Sequence, residues 1–229
     1  MKIGGFQKLS LLDYPDHTCC TVFTQGCNLR CPYCHNALLI APDGDTVVPP
    51  AEFFDFLQKR KGLLDGVCIS GGEPMLQPDL EDFAARIKQL GFLVKLDTNG
   101  VFPKKLKSIV EKGLVDYVAM DIKSSPENYA GAAGLASFNT EPVEQSADFL
   151  MRGNVPFEFR TTVVRELHTE KDIVSIGRWL GGAPRYFLQR YNDSGSVLSP
   201  GLSAYSKAEM QQLLDAVKPF IPAAQLRGI

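Results

Sequence analysis

The chain has 229 residues, 45% of them hydrophobic. That is enough to bury one substantial core, and a single α/β barrel can absorb the whole length, residues 1–229, as one domain with its core over about residues 18–218. Its 24 basic and 26 acidic residues leave a formal charge of −2, which excludes a large cationic field for nucleic acid or an anionic membrane. No apolar run approaches the roughly 20 residues of a membrane span, and the opening MKIGGFQKLSLLDYPDH holds no signal-peptide core, so the expected location is the cytoplasm.

From Thr18 onward one phrase repeats: a β-branched or aromatic run, a loop, an amphipathic helix, and often a glycine before the next run. That phrase is a βα unit. It predicts six strands at residues 18–24, 67–70, 92–97, 117–121, 157–164 and 186–190. Helices are predicted at residues 51–60, 79–90, 103–112, 141–152, 169–180 and 206–217. Gly91, Gly113 and Gly153 each follow a helix and precede a strand, where a left-handed C-cap residue is needed. Strand phrases such as GVCIS and DYVAMD read as apolar on both faces, as where helices cover one side of a parallel sheet and packed side chains the other. Six such units either close partly into a barrel or lie as an open doubly wound sheet. In both, chemistry collects at the C-terminal strand ends. The small-residue stretch 124–136, SSPENYAGAAGLA, follows a strand end and is expected to be a long mobile loop on that face, a candidate lid or docking surface. Residues 191–203 read as a turn-rich connection.

The six cysteines, at 19, 20, 27, 31, 34 and 68, all fall in the first third. In a reducing compartment such clustering argues for metal chemistry over disulfides. Cys27, Cys31 and Cys34 follow the first strand in the string TQGCNLRCPYCHN, with C-x3-C-x2-C spacing. Pro32 inside the run disfavours a helix and favours a loop wrapped around something, so that three thiolates converge. Structural zinc normally wants four protein ligands, and the adjacent His35 is badly placed to share an ion with Cys34. Three thiolates suit a cubane [4Fe-4S] cluster that keeps one iron open; zinc and unliganded core cysteines are the alternatives. Cys19, Cys20 and Cys68 lie in strands and read as small buried hydrophobes.

The cysteine spacing with Tyr33 just before the last cysteine, together with Gly71-Gly72-Glu73-Pro74 after the second strand, resembles the radical S-adenosylmethionine superfamily. Within it the chain is most similar to activating enzymes of glycyl radical enzymes, particularly the group serving anaerobic ribonucleoside-triphosphate reductase. The shared strings are FQKLSLLDYPDH, CPYCHN, DTNG at residues 97–100 and DIK at residues 121–123. The resemblance implies a partial (β/α)6 TIM-like barrel of the radical S-adenosylmethionine type. It also implies a [4Fe-4S] cluster on Cys27, Cys31 and Cys34, and reductive cleavage of S-adenosylmethionine to methionine and a 5′-deoxyadenosyl radical, which takes a hydrogen atom from a glycine of a partner protein. The implied partners are a glycyl radical enzyme and a flavodoxin- or ferredoxin-type electron donor, with no nucleic acid and no membrane.

The same resemblance assigns cofactor contacts to Tyr33, Asn36, Gly71, Gly72, Glu73, Asn99, Arg160 and His168. It assigns a Na+ or K+ site to Asp97, Thr98 and Asp121. Glycines in the GGEP turn would let the main chain approach a ligand without a Cβ clash. Plainer readings stand beside these: Asp97 and Asp121 as strand-end caps, Asn99-Gly100 as a turn, Arg160 paired with Glu158, and Tyr33 packed against the barrel. His17 and Trp179 read as structural, and no general acid or base is required beyond the cluster and cofactor. The three remaining cysteines, none spaced C-x2-C, leave no room for a second cluster. The competing functions are a radical reaction on a small molecule, such as that of 7-carboxy-7-deazaguanine synthase, and a non-catalytic iron–sulfur electron carrier.

Overall fold

The computed structural model describes residues 1–41, 47–193, 195 and 197–229. Eight strands form one sheet: β1 (Ile3–Ser10), β2 (Cys19–Thr24), β3 (Gly66–Gly71), β4 (Leu93–Thr98), β5 (Tyr117–Asp121), β6 (Phe157–Val163), β7 (Tyr186–Arg190) and β8 (Ala224–Arg227). They lie in sequence order. β1 runs antiparallel to β2, and every later neighbour is parallel. β1 and β8 are both edges, yet side chains from β3, β4, β5, β6 and β7 line a single cavity. The sheet is therefore curled but unclosed, a partial barrel with a lateral gap.

Seven parallel strands replace the six expected, and β1 was not foreseen at all. Both missed strands are edges. β1 carries Gly4, Gly5, Gln7 and Lys8 with an exposed outer half, and β8 has four residues; neither offers the apolar run that marks a buried strand.

The helices are α1 (Pro50–Gln58), α2 (Leu80–Gln89), α3 (Pro103–Glu111), α4 (Tyr129–Ala133), α5 (Glu141–Met151), α6 (Glu170–Trp179) and α7 (Lys207–Val217). Six match the predicted ones; α4 is new. Capping boxes start two of them, Thr169 with Asp172 for α6 and Ser206 with Glu209 for α7. The glycines at 91, 113 and 153 have the positive φ that those helix exits require. None of the helices is long and apolar enough to cross a membrane, among the described residues.

Alternation along the strands explains the core and corrects one expectation. Val67, Ile69, Val94, Leu96 and Val118 face the helices, where Phe53, Phe83, Ile87 and Leu106 join them in the main hydrophobic cluster. The opposite face is not apolar packing. It carries Lys95 and Asp97 on β4, Asp121 on β5, Glu158 and Arg160 on β6 and Gln189 on β7, so the barrel interior is a polar lumen. Only its base is apolar, where Cys19, Cys68, Tyr14 and Tyr117 form a small separate cluster.

The stretch 124–136 is likewise not a mobile lid. Ser124, Ser125, Tyr129, Ala132 and Ala133 are buried, and Tyr129 stacks on Phe138 at 4.7 Å. Ser125 Oγ and Asn128 Nδ2 donate to Asp172 Oδ1 at 2.7 and 2.6 Å, anchoring the segment to α6. Small residues are there because another chain segment passes close: a Cβ on Gly134 would lie 1.9 Å from the Arg30 carbonyl oxygen. Within the expected connection at 191–203, Ser194 and Ser196 lie outside the described residues; Ser199 N donates to Pro32 O at 2.9 Å.

Candidate active site

A cavity of about 410 Å³ opens at the C-terminal ends of the strands. One wall is the loop after β2. Cys27, Cys31 and Cys34 all line it, with Tyr33, His35 and Asn36 between and beside them. The loop holds its shape through its backbone. Cys34 N donates to Cys31 O at 3.0 Å, Arg30 N to Ala133 O at 2.9 Å, and Cys27 N to Ile40 O at 3.1 Å. The segment 124–136 is thus the shelf on which the cysteine loop rests. Burial pushes the Cys31 thiol up to about 11 and raises Cys27 as well. Among the described residues, no three His, Cys, Asp or Glu side chains are grouped to hold a single metal ion, the three cysteines included.

The second wall is the glycine turn at the end of β3, and its glycines also let two stretches of backbone pack closely. Gly71 has φ of 110°, and a Cβ there would sit 2.3 Å from Thr24 N. On Gly72 it would sit 2.1 Å from the Gly26 oxygen, the acceptor of the 2.8 Å bond from Glu73 N. The missing Cβ atoms make room for the backbone that leads into Cys27, so the two motif loops are packed directly on each other. Both glycines line the cavity; Glu73 does not. Its fully buried carboxylate accepts from Asn99 N at 2.7 Å, Thr98 Oγ1 at 2.8 Å and Met75 N at 3.0 Å. Burial lifts Glu73 to about 7 against the pull of those donors. Asn99 then reaches back through Nδ2 to Asn28 Oδ1 at 2.9 Å, and Asn36 Nδ2 to Gly71 O at 3.1 Å. Glu73 is a clamp joining the ends of β3 and β4 to the cysteine loop.

The third wall is charged. Arg160 donates through Nε to Asp121 Oδ1 at 2.8 Å and through a terminal nitrogen to Asp97 Oδ2 at 3.4 Å. Lys123 pairs with Asp121 Oδ2 at 3.0 Å, Lys95 with Asp97 Oδ1, and Ser70 Oγ donates to Asp97 Oδ2 at 3.0 Å. Burial alone would raise both aspartates, but the neighbouring cations outweigh it and hold both below the usual carboxylate range. Arg160 does not pair with Glu158, which is held by Arg227 at 2.8 and 3.0 Å. The Na+ or K+ expectation finds no support here: the two carboxylates are already engaged by cationic side chains, and the Thr98 hydroxyl donates to Glu73.

Of the expected contacts, Tyr33, Asn36, Gly71, Gly72, Asn99 and Arg160 share the cavity with the three cysteines, Asp97, Thr98 and Asp121. His168 stands outside it. Val164 N donates to its Nδ1 at 3.1 Å, so Nε2 carries the proton and donates to Lys123 O at 2.7 Å. Its role here is to fix the backbone that carries Lys123. Reasoning from the sequence missed Lys123, Asp13, Ser70, Thr162 and Gln189 as cavity residues. Thr162 shares a strand face with Arg160 and Ser70 stands two positions before Gly72, so the period of two could have found them, whereas Gln189 lies on a strand with no expected site residue. Asp13 had no signal; it arrives from the β1–β2 connection and accepts from Thr21 Oγ1 at 2.5 Å.

The donor set fits the implied groups. Three thiols on one wall suit a cluster with one open iron. The opposite wall offers carboxylates and a guanidinium together, as a zwitterionic amino-acid head requires. The Tyr33 hydroxyl is buried in the same cavity with no hydrogen-bond partner among the described residues.

Comparison with known proteins agrees. The model of the radical SAM superfamily matches residues 21–180, a span that contains the cysteines, the glycine turn and Arg160. A protein of Methanocaldococcus jannaschii, provisionally named a glycyl-radical enzyme activating enzyme, is 32% identical over 99% of this chain and 96% of its own length. The pyruvate formate-lyase-activating enzyme of Clostridium pasteurianum is 34% identical over 53% of this chain and 52% of its own. Among solved structures, a radical SAM methyltransferase from Sphaerobacter thermophilus superposes with a TM-score of 0.74 at 14% identity, covering 96% of this chain and 68% of that one. QueE from Escherichia coli gives 0.58 at 14% identity, covering 99% and 93%. The structural likenesses show a shared fold. The family match, which spans more than half of the chain and includes Cys27, Cys31, Cys34, the glycine turn and Arg160, shows that this chain belongs to the radical S-adenosylmethionine superfamily.

Proposed function

We propose that this chain is an activating enzyme that installs a glycyl radical on a partner protein, with anaerobic ribonucleoside-triphosphate reductase as that partner and a flavodoxin or ferredoxin as electron donor. The observation that carries the chemistry is the single cavity in which three cysteine thiols face a wall of paired carboxylates and guanidinium. Cys27, Cys31 and Cys34 would hold the cluster, and Arg160 with the aspartates would receive the amino-acid end of S-adenosylmethionine. When bound, these groups supply reductive cleavage of the sulfonium and a carbon radical that takes one hydrogen atom. The protein binds, orients and excludes water: the glycine turn closes the site from one side and the buried Tyr33 from another. The glycyl radical assignment draws on the end-to-end similarity to the Methanocaldococcus jannaschii relative, and the choice of the reductase on the SLLDYPD phrase. Cys19, Cys20 and Cys68 are each fully buried, with Cys20 packed in the main core apart from the other two, which suits a single cluster.

The test begins with anaerobic reconstitution and low-temperature electron paramagnetic resonance, with and without S-adenosylmethionine, in the wild type and Cys31→Ala. A [4Fe-4S]+ signal that the cofactor perturbs and the substitution abolishes is expected. A signal indifferent to the cofactor would return the cysteines to electron transfer. The partner is tested by incubating the reduced enzyme with the reductase and looking for a glycyl radical doublet. Productive cofactor cleavage with a small metabolite and no protein would instead place the enzyme among those acting on small molecules.

A further inference from the structure

Lys95 is a charged residue of the barrel wall to which the sequence reading assigns no role. It lies on β4 two residues before Asp97, so both side chains project into the lumen. The Lys95 side chain is 2% exposed. Among the described residues its ammonium pairs with Asp97 Oδ1 and meets the Cys68 thiol at 3.8 Å. It reaches Asp97 from below, from a second cavity of about 240 Å³ in the lower lumen, whereas Asp97 itself faces the upper cavity. Asp13, Arg160 and Gln189 border both cavities.

A four-carbon stem and an ammonium are costly to bury, and a lone lysine in such a place sheds its proton. The ion pair with Asp97 offsets that cost and keeps the ammonium charged where it lies. Asp97 in turn has one oxygen committed to Lys95 and the other shared between Ser70 and Arg160. Without Lys95 the Oδ1 atom would be a largely desolvated anionic oxygen stripped of its cationic partner.

We infer that Lys95 is the site's built-in monovalent cation: its ammonium neutralises and aims Asp97 from beneath, so that cofactor binding in the cavity above needs no added Na+ or K+. Lys95 is a positioning residue, acting on the cofactor only through Asp97 and, through Asp97, on Arg160. The lower cavity gives the argument its test, because shortening the charge out of the lysine leaves a route and a space through which a small ion can reach Asp97.

The inference rests on the S-adenosylmethionine reading of the cavity, and the experiment separates the two. Anaerobically reconstituted, reduced enzyme is titrated with S-adenosylmethionine in tetramethylammonium buffer. The cluster signal is the readout, with potassium, sodium or more tetramethylammonium chloride added at equal ionic strength. For the wild type the apparent Kd should be the same in all three salts. Lys95→Met should bind about tenfold or more weakly in tetramethylammonium, the effect of uncovering one partner of a buried ion pair. Potassium or sodium should restore it, a rescue that a merely structural lysine would not show. Lys95→Arg should keep the wild-type indifference to salt. Wild-type binding that requires potassium or sodium overturns the assignment, as does a Lys95→Met variant equal to the wild type. If Lys95→Met does not fold, the wild type and Lys95→Arg decide it alone. A wild-type cluster signal that never responds to S-adenosylmethionine removes the cofactor reading, and this inference with it.

Discussion

Two walls of one cavity are built in opposite ways. The cysteine and glycine loops are short, contiguous in sequence and held by main-chain hydrogen bonds and by the absence of Cβ atoms. The charged wall draws side chains from β4, β5 and β6 and is held by ion pairs, with one hydrogen bond from Ser70 Oγ to Asp97. The first wall fixes positions to within a bond length, because backbone cannot yield where it touches backbone. The second fixes charge, and it can re-pair if one member is lost. Geometry for a cluster and electrostatics for a zwitterion are thus supplied by different structural means.

The sharpest break should come at the backbone contact. Gly72→Ala would place a methyl 2.1 Å from the Gly26 oxygen, so the turn or the cysteine loop must move. A loss of about 3 kcal/mol or more is expected by thermal unfolding, with iron content per chain falling in parallel. Gly5→Ala, where a Cβ meets nothing within 4 Å, is the control and should leave iron content unchanged.

Arg160→Met tests the other wall. It strips a partner from both Asp97 and Asp121, at a cost of about 3 kcal/mol for breaking a buried ion pair. If the two walls act independently, the cluster should still assemble while the affinity for S-adenosylmethionine falls by more than about tenfold. Loss of iron in this variant would show that the walls are coupled after all. Glu73→Gln is milder. It keeps the shape but sets an amide nitrogen against one of the N–H or O–H donors now bonded to the carboxylate, an expected loss of about 1–3 kcal/mol in unfolding free energy.

The smallest effect is one of pH. Cluster assembly needs thiolates, and burial has raised Cys31 to about 11 and Cys27 in the same direction, so assembly must release protons. A group with a raised pKa gives up its proton more readily as pH climbs toward that value. The rate and yield of reconstitution should therefore rise from about pH 7 to about pH 9. A flat profile would mean that the loop presents its thiols ionised before iron arrives.

Much of this was legible in the chain itself. The cysteine spacing, the GGEP turn and six of the parallel strands are local patterns, each carried by residues close together in sequence: Pro32 bars a helix, and the glycines after α2, α3 and α5 mark each return to the sheet. The small-residue stretch 124–136 misled because small residues mean flexibility only when nothing packs on them; here Arg30 does. The resemblance places Glu73 with the cofactor as part of the GGEP turn, yet its side chain turns inward to three donors and stays out of the cavity that Gly71 and Gly72 line.

What the amino-acid sequence determined by itself was the repeating βα order, the loop that gathers three thiols and the family to which both belong. Tertiary structure alone decided which charges meet. Lys95, Asp97, Asp121, Lys123 and Arg160 are spread over 66 positions from first to last, and each reads singly as an ordinary polar residue at or near a strand end. Only the curl of the sheet brings three strands' inner faces within ion-pair distance, and in that buried lumen a charge without a partner is too costly to persist. The pairing is a property of the closed space, and no local pattern encodes it.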